Sequence, residues 1–286
     1  MGAIAFRPLA GYIGARVEGV ALSETVDDDL AATLRTALFE HLILVFPEQY
    51  LDLARQKEVT EIFGPLRPVP YIEPMAGEPQ VIAVLKKAEE RNVGVFGGEW
   101  HSDFSFLKAP PAGSVLSAVE IPPYGGDTLW ASQIAAYESL PTGLKDLIEG
   151  RDAVHTGAPY GVKHAPPQEA RSGASIKMVR GDPAADRETF HPAVRTHPES
   201  GRKALFVNPI YTTRLDGLSE ADSRPILERL FRHATRPDIT CRHRWSAGDL
   251  VVWDNRTTLH YALNDYDGVR RLLYRTTFGD REPAHA

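Results

Sequence analysis

Cysteine is almost absent from the sequence. Cys241 is the single cysteine among 286 residues, so the chain cannot form an internal disulfide, and it cannot build a thiolate cluster for structural zinc or iron–sulfur by itself. A reducing compartment suits such a composition. We therefore expect a cytoplasmic protein.

Basic residues are not in excess either. The 32 lysines and arginines are outnumbered by 38 aspartates and glutamates, which gives a formal net charge of −6. A chain of this charge has no overall positive field to hold a polyanion. We therefore expect no nucleic-acid partner.

Long hydrophobic runs do not occur. The longest, LILVF at residues 42–46, is far shorter than the roughly 20 apolar residues that span a bilayer. The opening MGAIAFRPLAGY lacks the basic and then apolar pattern of a secretory signal. We expect no contact with a membrane.

The remaining composition is typical of a globular protein. Hydrophobic residues make up 43% and charged residues 24% of the chain, and no repeat or interdomain linker is visible, so we expect a single domain over residues 1–286. Its first part predicts a helix from Ser23 to His41, a buried strand from Leu42 to Phe46 and a helix from Leu51 to Phe63.

From Val81 onward the sequence has the pattern of an antiparallel sandwich or barrel. Short runs rich in β-formers are separated by Pro, Gly, Asn and Asp; they are VIAVL, SVLSAVEI, TLWAS, ALFVN, DLVVW and LLYRTTF. Helices are predicted only at Ala135 to Glu149 and Ser219 to Thr235. Residues 157–202 show neither helical nor strand periodicity. Because loops of this length are usually functional, we predict an active-site lid insertion there.

The stretch EWHSDFSF contains a pair of metal-ligand side chains. In a strand, residues i and i+2 project from the same face, so His101 and Asp103 can reach one point. His260, after the predicted strand DLVVW, is the best third ligand. Two histidines and one carboxylate form the facial triad of non-haem Fe(II) oxygenases. The alternative is a hydrogen-bonded polar turn without a metal.

Two arginines follow His260 in GVRRLLYRTTFGD. Strand alternation places Arg271 and Arg275 on one face with apolar neighbours. A buried guanidinium needs an anionic partner, and the fork of arginine suits a carboxylate, as in a dicarboxylate cosubstrate. The alternative is an exposed edge strand with solvated arginines.

Several blocks of the sequence, in order, resemble the taurine dioxygenase family of Fe(II)/2-oxoglutarate-dependent dioxygenases, which includes aryloxyalkanoate and alkylsulfate dioxygenases. They span nearly the whole chain and are PLAGYIGARVEGVAL, FGPLRPVP, WHSDFSFLKAPPAGSVL, GGDTLWAS, HPAVRTHPESGRKALFVN and VVWDNRTTLHYALNDY.

The resemblance implies a mainly β fold with flanking helices, whose core is a double-stranded β-helix, or jelly roll, with lid loops. It implies that His101, Asp103 and His260 ligate Fe(II). Arg271 and Thr128 would hold the far carboxylate of 2-oxoglutarate, and Arg275 falls near the substrate anion or the cosubstrate. With O2 as the other cosubstrate, the reaction yields succinate and CO2. Relatives are often homo-oligomers, so we expect a homo-oligomer.

The implied substrate is a small organic anion of the sulfonate, alkyl sulfate or aryloxyalkanoate type, whose hydroxylation can lead to cleavage of a carbon–heteroatom bond. Taurine itself is disfavoured, because Gly97 stands where taurine-handling members carry asparagine, and residues 69–72 lack their histidine. The candidate pocket residues are Tyr71, Phe104, Phe106 and Tyr211, with Arg275 for an acidic end. A non-catalytic jelly-roll module that binds a metal or a small acid is the alternative function.

Four histidines in or beside the predicted lid receive no ligand role in this scheme. They are His155, His164, His191 and His197, and contact with the substrate is the alternative for them. We expect them to be solvated loop residues.

Overall fold

The described part of the chain contains fifteen strands and five α-helices, joined by loops and short 3-10 helices. The computed structural model describes residues 3–91, 94–163 and 174–285. The strands are β1 (Ala5–Pro8), β2 (Ala15–Glu18), β3 (Ile43–Phe46), β4 (Ile82–Lys86), β5 (Pro111–Glu120), β6 (Thr128–Ser132), β7 (Asp152–His155), β8 (Thr189–Pro192), β9 (Val194–Thr196), β10 (Lys203–Leu205), β11 (Thr212–Leu215), β12 (Thr240–His243), β13 (Leu250–Asp254), β14 (Thr258–Ala262) and β15 (Arg271–Asp280). The helices are α1 (Asp28–His41), α2 (Leu53–Glu61), α3 (Gln133–Glu138), α4 (Thr142–Ile148) and α5 (Glu220–Ala234).

Two sheets enclose the core. The larger has seven strands in the order β1-β2-β3-β13-β5-β15-β4, antiparallel except where β2 and β3 run parallel. The sheet that faces it, called the small sheet below, has three strands in the order β12-β6-β14. Trp130 of β6 and Trp253 of β13 meet edge-on with ring centroids 5.9 Å apart, so the sheets face each other. This architecture confirms the predicted jelly roll with flanking helices.

Strand β15 lies inside the large sheet. It pairs with β5 on one side and β4 on the other, and Arg271 and Arg275 are each only 3% exposed. The alternative of an exposed edge strand with solvated arginines is therefore wrong.

The helix ends follow their capping residues. Helix α1 begins five residues later than predicted, because the Asp27 carboxylate accepts a hydrogen bond from the Leu30 amide and caps it there. Asp52 and Ser219 cap α2 and α5 in the same way. Each of these three helices lies within its predicted range.

The single helix predicted from Ala135 to Glu149 is wrong. The chain forms α3 and α4 instead, and Pro141 stands immediately before α4. Proline has no amide hydrogen to continue a helix and disfavours helical geometry in the residue before it. The helical periodicity hides this break.

The region from 157 to 202 is more ordered than predicted. Its described residues contain two short 3-10 helices, Ala158–Tyr160 and Pro183–Asp186, and the strands β8 and β9. Strand β8 pairs antiparallel with β7. Residues 164–173 of the predicted lid lie outside the described residues.

Three of the four histidines expected to be solvated are buried, and the fourth, His164, lies outside the described residues. His155, His191 and His197 are 0%, 3% and 1% exposed. The His155 ring stacks on Phe206 and meets His191 edge-on, while His197 donates from Nε2 to the Asp254 carboxylate over 3.0 Å. The expectation is wrong because ring packing and a hydrogen bond to a buried carboxylate satisfy these polar side chains inside the fold.

Candidate metal centre and active site

A backbone bridge brings two of the predicted metal ligands together. The amide of His260 donates to the His101 carbonyl over 2.8 Å, and the amide of His101 donates back to the His260 carbonyl over 3.1 Å. The imidazole centroids are 4.1 Å apart. Residue 101 thus extends the edge of the small sheet beside β14.

The third predicted ligand completes a compact group. Asp103 Oδ1 lies 3.6 Å from His101 Nε2 and 3.7 Å from His260 Nε2. One donor atom from each of the three buried residues falls within 4.8 Å of the others. Such a spacing allows all three atoms to coordinate one ion.

Both histidines are prepared for metal binding. His101 Nδ1 lies 2.7 Å from the Glu99 carbonyl; donation there leaves Nε2 as the free lone pair. Burial lowers the pKa of His260 well below the ordinary histidine range, and the charges of His101 and Arg275 act in the same direction. A neutral imidazole is the form that coordinates a metal.

The Asp103 carboxylate is held in its charged form. Burial alone would raise the pKa of Asp103, but the Arg275 guanidinium, with contributions from His260 and His101, holds it well below the usual range. Arg275 Nη2 lies 2.6 Å from Asp103 Oδ2 and donates to Ser114 Oγ over 3.1 Å. Oδ2 is engaged in this way, so Oδ1 is left to face the histidines.

A small buried pocket adjoins the two histidines, between the two sheets. Its lining includes Thr128, Trp253, Arg271 and Arg275 together with both histidines. Arg271 packs near the Trp245 and Tyr266 rings, 5.9 Å and 5.8 Å from their centroids, and its Nε finds no hydrogen-bond partner among the residues that the structure describes. A buried guanidinium with an unsatisfied donor fits an incoming carboxylate.

The wall of this pocket is shaped around Arg271. A Cβ atom at Gly126 would lie 3.1 Å from Arg271 Cδ, and Gly126 has a left-handed φ of +69°. Thr128 Oγ1 accepts a hydrogen bond from Trp245 Nε1 over 3.0 Å. The residues predicted to hold 2-oxoglutarate therefore share one pocket with His101 and His260, two of the three predicted ligands.

A larger cavity of about 500 Å³ also adjoins the predicted ligands. His101, Asp103, Phe104 and Tyr211 line it. Phe106 and Tyr71 lie behind this surface: Phe106 packs against Tyr211 with centroids 5.0 Å apart, and Tyr71 stacks on Tyr160 at 5.0 Å. Of the four aromatic residues predicted for the pocket, Phe104 and Tyr211 line the cavity. Phe106 and Tyr71 do not line it and pack against residues that do.

Several lining residues were missed from the sequence. Tyr160, Met178, Arg180 and Asn264 all face the cavity. The segment carrying Met178 is fixed by backbone bonds, from Glu73 N to the Lys177 carbonyl and from Val179 N to the Tyr71 carbonyl. No local motif marks these positions, and the apolar pair Met178-Val179 in the predicted lid was the only available signal.

The structure combines two facing, mostly antiparallel sheets with a buried His-Asp-His group and a buried pocket that contains arginines. These are the features of a jelly-roll oxygenase that uses a non-haem metal and an acidic cosubstrate. The donor set fits Fe(II), because it combines imidazole with hard carboxylate oxygen and contains no sulfur. Within the described residues, no helix is both long and apolar enough to cross a membrane.

Comparisons with known proteins identify the family. The profile of the "Taurine catabolism dioxygenase TauD, TfdA family" matches residues 5–277. An alkylsulfatase of Acinetobacter baylyi is 37% identical over 273 residues, covering 95% of this chain and 83% of the relative. An alpha-ketoglutarate-dependent sulfate ester dioxygenase of Pseudomonas putida is 35% identical over 279 residues, covering 96% and 89%. The crystal structure of a taurine dioxygenase from Burkholderia xenovorans has a TM-score of 0.81 at 33% identity, covering 99% of this chain and 92% of that one.

The chain belongs to the taurine dioxygenase family. It is an Fe(II)-dependent dioxygenase with 2-oxoglutarate and O2 as cosubstrates.

Proposed function

We propose that this enzyme hydroxylates a small organic anion with an apolar body, of the alkyl sulfate, sulfonate or aryloxyalkanoate type. The observation that carries the proposal is the 500 Å³ cavity beside the three ligands, whose wall includes Phe104 and Tyr211. Where the hydroxylated carbon bears a sulfate ester oxygen, the product collapses to an aldehyde and free sulfate. The relatives named as an alkylsulfatase and a sulfate ester dioxygenase support this class.

We assign His101, Asp103 and His260 as the iron ligands. Their convergent, buried donor atoms support the assignment. These side chains would hold the iron, and iron with 2-oxoglutarate would supply the oxidising chemistry: one atom of O2 would enter succinate as CO2 is released, and the other would be inserted into a substrate C–H bond. The chain's own part is to hold Asp103 charged through Arg275 and to keep the buried His260 imidazole neutral.

We assign Arg271, with Thr128, to the far carboxylate of 2-oxoglutarate. The buried Nε of Arg271 supports this, because a carboxylate oxygen would satisfy it. Trp130, Trp253 and Leu116 line the same pocket and exclude water from it, which strengthens every charge interaction inside.

We further propose that the chain acts as a single domain and that residues from the 157–202 segment close the substrate cavity. The positions of Pro159, Tyr160 and Met178 on its wall support the lid role. We also propose a cytoplasmic, homo-oligomeric enzyme. The presence of a single cysteine, Cys241, in the sequence agrees with a reducing compartment.

Succinate formation tests the proposed reaction. The purified protein is incubated with Fe(II), ascorbate and 2-oxoglutarate against a panel of alkyl sulfates, sulfonates, aryloxyalkanoates and phosphonates, with His101→Ala as the control. We expect succinate that depends on one of the first three classes and disappears in the control variant. Substrate-independent succinate at an equal rate across the panel would contradict the substrate proposal.

The non-catalytic alternative has a distinct result. A module that only binds a metal or a small acid would bind 2-oxoglutarate but consume none with any panel member. Loss of iron binding in His101→Ala, measured by metal analysis after gel filtration, tests the ligand assignment separately from turnover.

A further inference from the structure

Lys86, the last residue of β4, is buried beside the small pocket that contains Arg271. It is only 5% exposed. Lys86 and Arg271 stand directly opposite each other in the pairing of β4 with β15, and strand alternation places Lys86 on the same face as Val84, which lines the pocket. Like charges in opposite positions on neighbouring strands repel each other. The burial of both cations is therefore a cost that other contacts must offset.

The ammonium group of Lys86 holds the loop between β14 and β15. Its Nζ donates to Asn264 Oδ1 over 2.6 Å and to Asp267 Oδ1 over 2.7 Å. The lysine side chain is 6% exposed in this ion pair, so solvent screens it little. One buried cation thus fastens both ends of the stretch 264–267.

The residues between these two ends contact the surroundings of Arg271. The centroid of the buried Tyr266 ring lies 4.7 Å from Lys86 Nζ and 5.8 Å from Arg271 Cζ. The face of an aromatic ring attracts cations, so this ring stabilises both. Asp265 Oδ1 accepts a hydrogen bond from the Gly126 amide over 2.7 Å, and Gly126 is the glycine that leaves room for the Arg271 side chain. The loop held by Lys86 therefore fixes two walls around Arg271.

The two cations differ in their partners. Lys86 is paired with the Asp267 carboxylate, whereas Arg271 Nε has no hydrogen-bond partner among the described residues. Lys86 is not among the described residues that line the small pocket. A carboxylate that enters the pocket would therefore pair with Arg271, and the lysine would act on it through Arg271 and through its charge, which carries further in a dry interior than in water.

We propose that Lys86 is a positioning residue for the 2-oxoglutarate site. It fixes the loop 264–267, so that Tyr266 and Gly126 hold the Arg271 guanidinium where the far carboxylate arrives. The proposal rests on the proposed assignment of Arg271 to that carboxylate. Lys86 thereby sets the preference of the enzyme for a dicarboxylic over a monocarboxylic 2-oxo acid.

Equilibrium binding of two 2-oxo acids tests the proposal without turnover. 2-Oxoglutarate and 2-oxopentanoate, which has a methyl group in place of the far carboxylate, are titrated anaerobically into the Fe(II)-loaded protein. Both acids chelate iron through the same 2-oxo acid end, and the visible charge-transfer absorption of that chelate gives a Kd for each.

The variants are Lys86→Met, Lys86→Gln and Lys86→Arg. The first two remove the charge with different side chains, so the test does not depend on the folding of one variant, and the third keeps the charge. Lys57→Met is the matched control, because Lys57 is a partly buried lysine that is paired with Glu78 and does not line the pocket. The Fe(II) affinity of each variant is measured by competition with a chelator.

The expected result is a selective loss. Lys86→Met and Lys86→Gln weaken 2-oxoglutarate binding by about 10-fold, the order of one charge-assisted contact, and leave 2-oxopentanoate binding unchanged. Lys86→Arg restores most of the loss, and Lys57→Met binds both acids as the wild type does. The Fe(II) affinity stays the same in all four variants.

Two results would overturn the proposal. One is wild-type affinity for 2-oxoglutarate in both uncharged variants. The other is an equal loss for the two acids, which would mean that Lys86 only maintains the fold. Arg271→Met separates these results from failure of the proposed function. If Arg271→Met binds 2-oxoglutarate as the wild type does, the assignment of Arg271 is wrong; if it loses 2-oxoglutarate while the uncharged Lys86 variants keep it, the role of Lys86 alone is rejected.

Discussion

Ser105 and Asn208 are joined by a buried hydrogen bond. The Asn208 amide nitrogen donates to Ser105 Oγ over 2.8 Å, and Ser105 Oγ also lies 3.0 Å from His155 Nδ1. The Asn208 side-chain oxygen accepts from the amides of Ile210 and Tyr211. The segment that follows the metal ligand Asp103 is thereby tied to the far wall of the substrate cavity.

We expect Asn208→Ala to destabilise the protein by about 2–4 kcal/mol, because it leaves buried donors and an acceptor without partners. Urea unfolding measures this loss. The wall that carries Tyr211 should also loosen, which raises the KM for the organic substrate more than the KM for 2-oxoglutarate. Ser139→Ala, which removes a partly buried hydroxyl far from this network, is the comparison, and an equal effect from both would reject the coupling.

The glycine beside Arg271 provides a steric test of the cosubstrate pocket. A methyl group in Gly126→Ala would press on Arg271 Cδ in a backbone conformation that disfavours side chains. We expect the KM for 2-oxoglutarate to rise about 10-fold or more while iron affinity is retained. Gly77→Ala controls for backbone strain, because Gly77 has a φ of +79° and open space around it. A pocket that tolerates Gly126→Ala as well as Gly77→Ala does not depend on this contact.

His155 predicts a pH dependence of stability. Burial, with help from His191, lowers its pKa to about 3, whereas an unfolded histidine titrates near 6.5. Below pH 6.5 the unfolded state gains a proton that the folded state cannot accept, so stability falls as the pH decreases toward 3. Between pH 7.5 and 5.5 this group should remove about 1.4 kcal/mol.

Urea midpoints at these two pH values check the contribution of His155. His155→Gln should lose less stability on acidification than the wild type by that amount. His285→Gln, which changes a half-exposed histidine, should follow the wild type. Parallel decline of all three proteins would show that other groups carry the acid sensitivity.

An ionic network supports the turn that follows β13. Arg256 Nε and Nη2 contact the fully buried Asp254 carboxylate, and Arg256 Nη1 donates to Glu199 over 2.7 Å. Arg256→Met should cost about 3–5 kcal/mol, because it removes the guanidinium that contacts the buried Asp254 carboxylate. Arg7→Met, which breaks an exposed pair with Glu18, should cost at most about 1 kcal/mol. Thermal and urea unfolding compare the two, and equal losses would contradict the network's role.

The fold and the centre of the site were accessible from the sequence for physical reasons. Residues i and i+2 of a strand share a face, so His101 and Asp103 could be paired by inspection, and a buried arginine on β15 called for an anion. The break at Pro141 and the burial of His155 were not accessible in the same way. Helical periodicity concealed the break at Pro141. The burial of His155 depends on Phe206 and His191, which contact its ring only in the folded chain.

Arg180 shows the remaining difficulty most clearly. Nothing in the residues around it marks a cavity wall, because its position depends on the bridge between Ile72 and Met178 and on the carbonyl of Pro159. Such long-range pairings are set by tertiary packing and have no local pattern.

The backbone bridge between His101 and His260 has a consequence for how the enzyme is made. A growing chain on the ribosome that has not yet reached residue 260 offers only an imidazole and a carboxylate, which form a weak bidentate chelate. Tight metal capture then waits until β14 has docked beside residue 101. On the proposed ligand set, tight iron binding therefore needs the nearly complete chain, and a chain truncated before Thr258 is expected to be isolated without its metal.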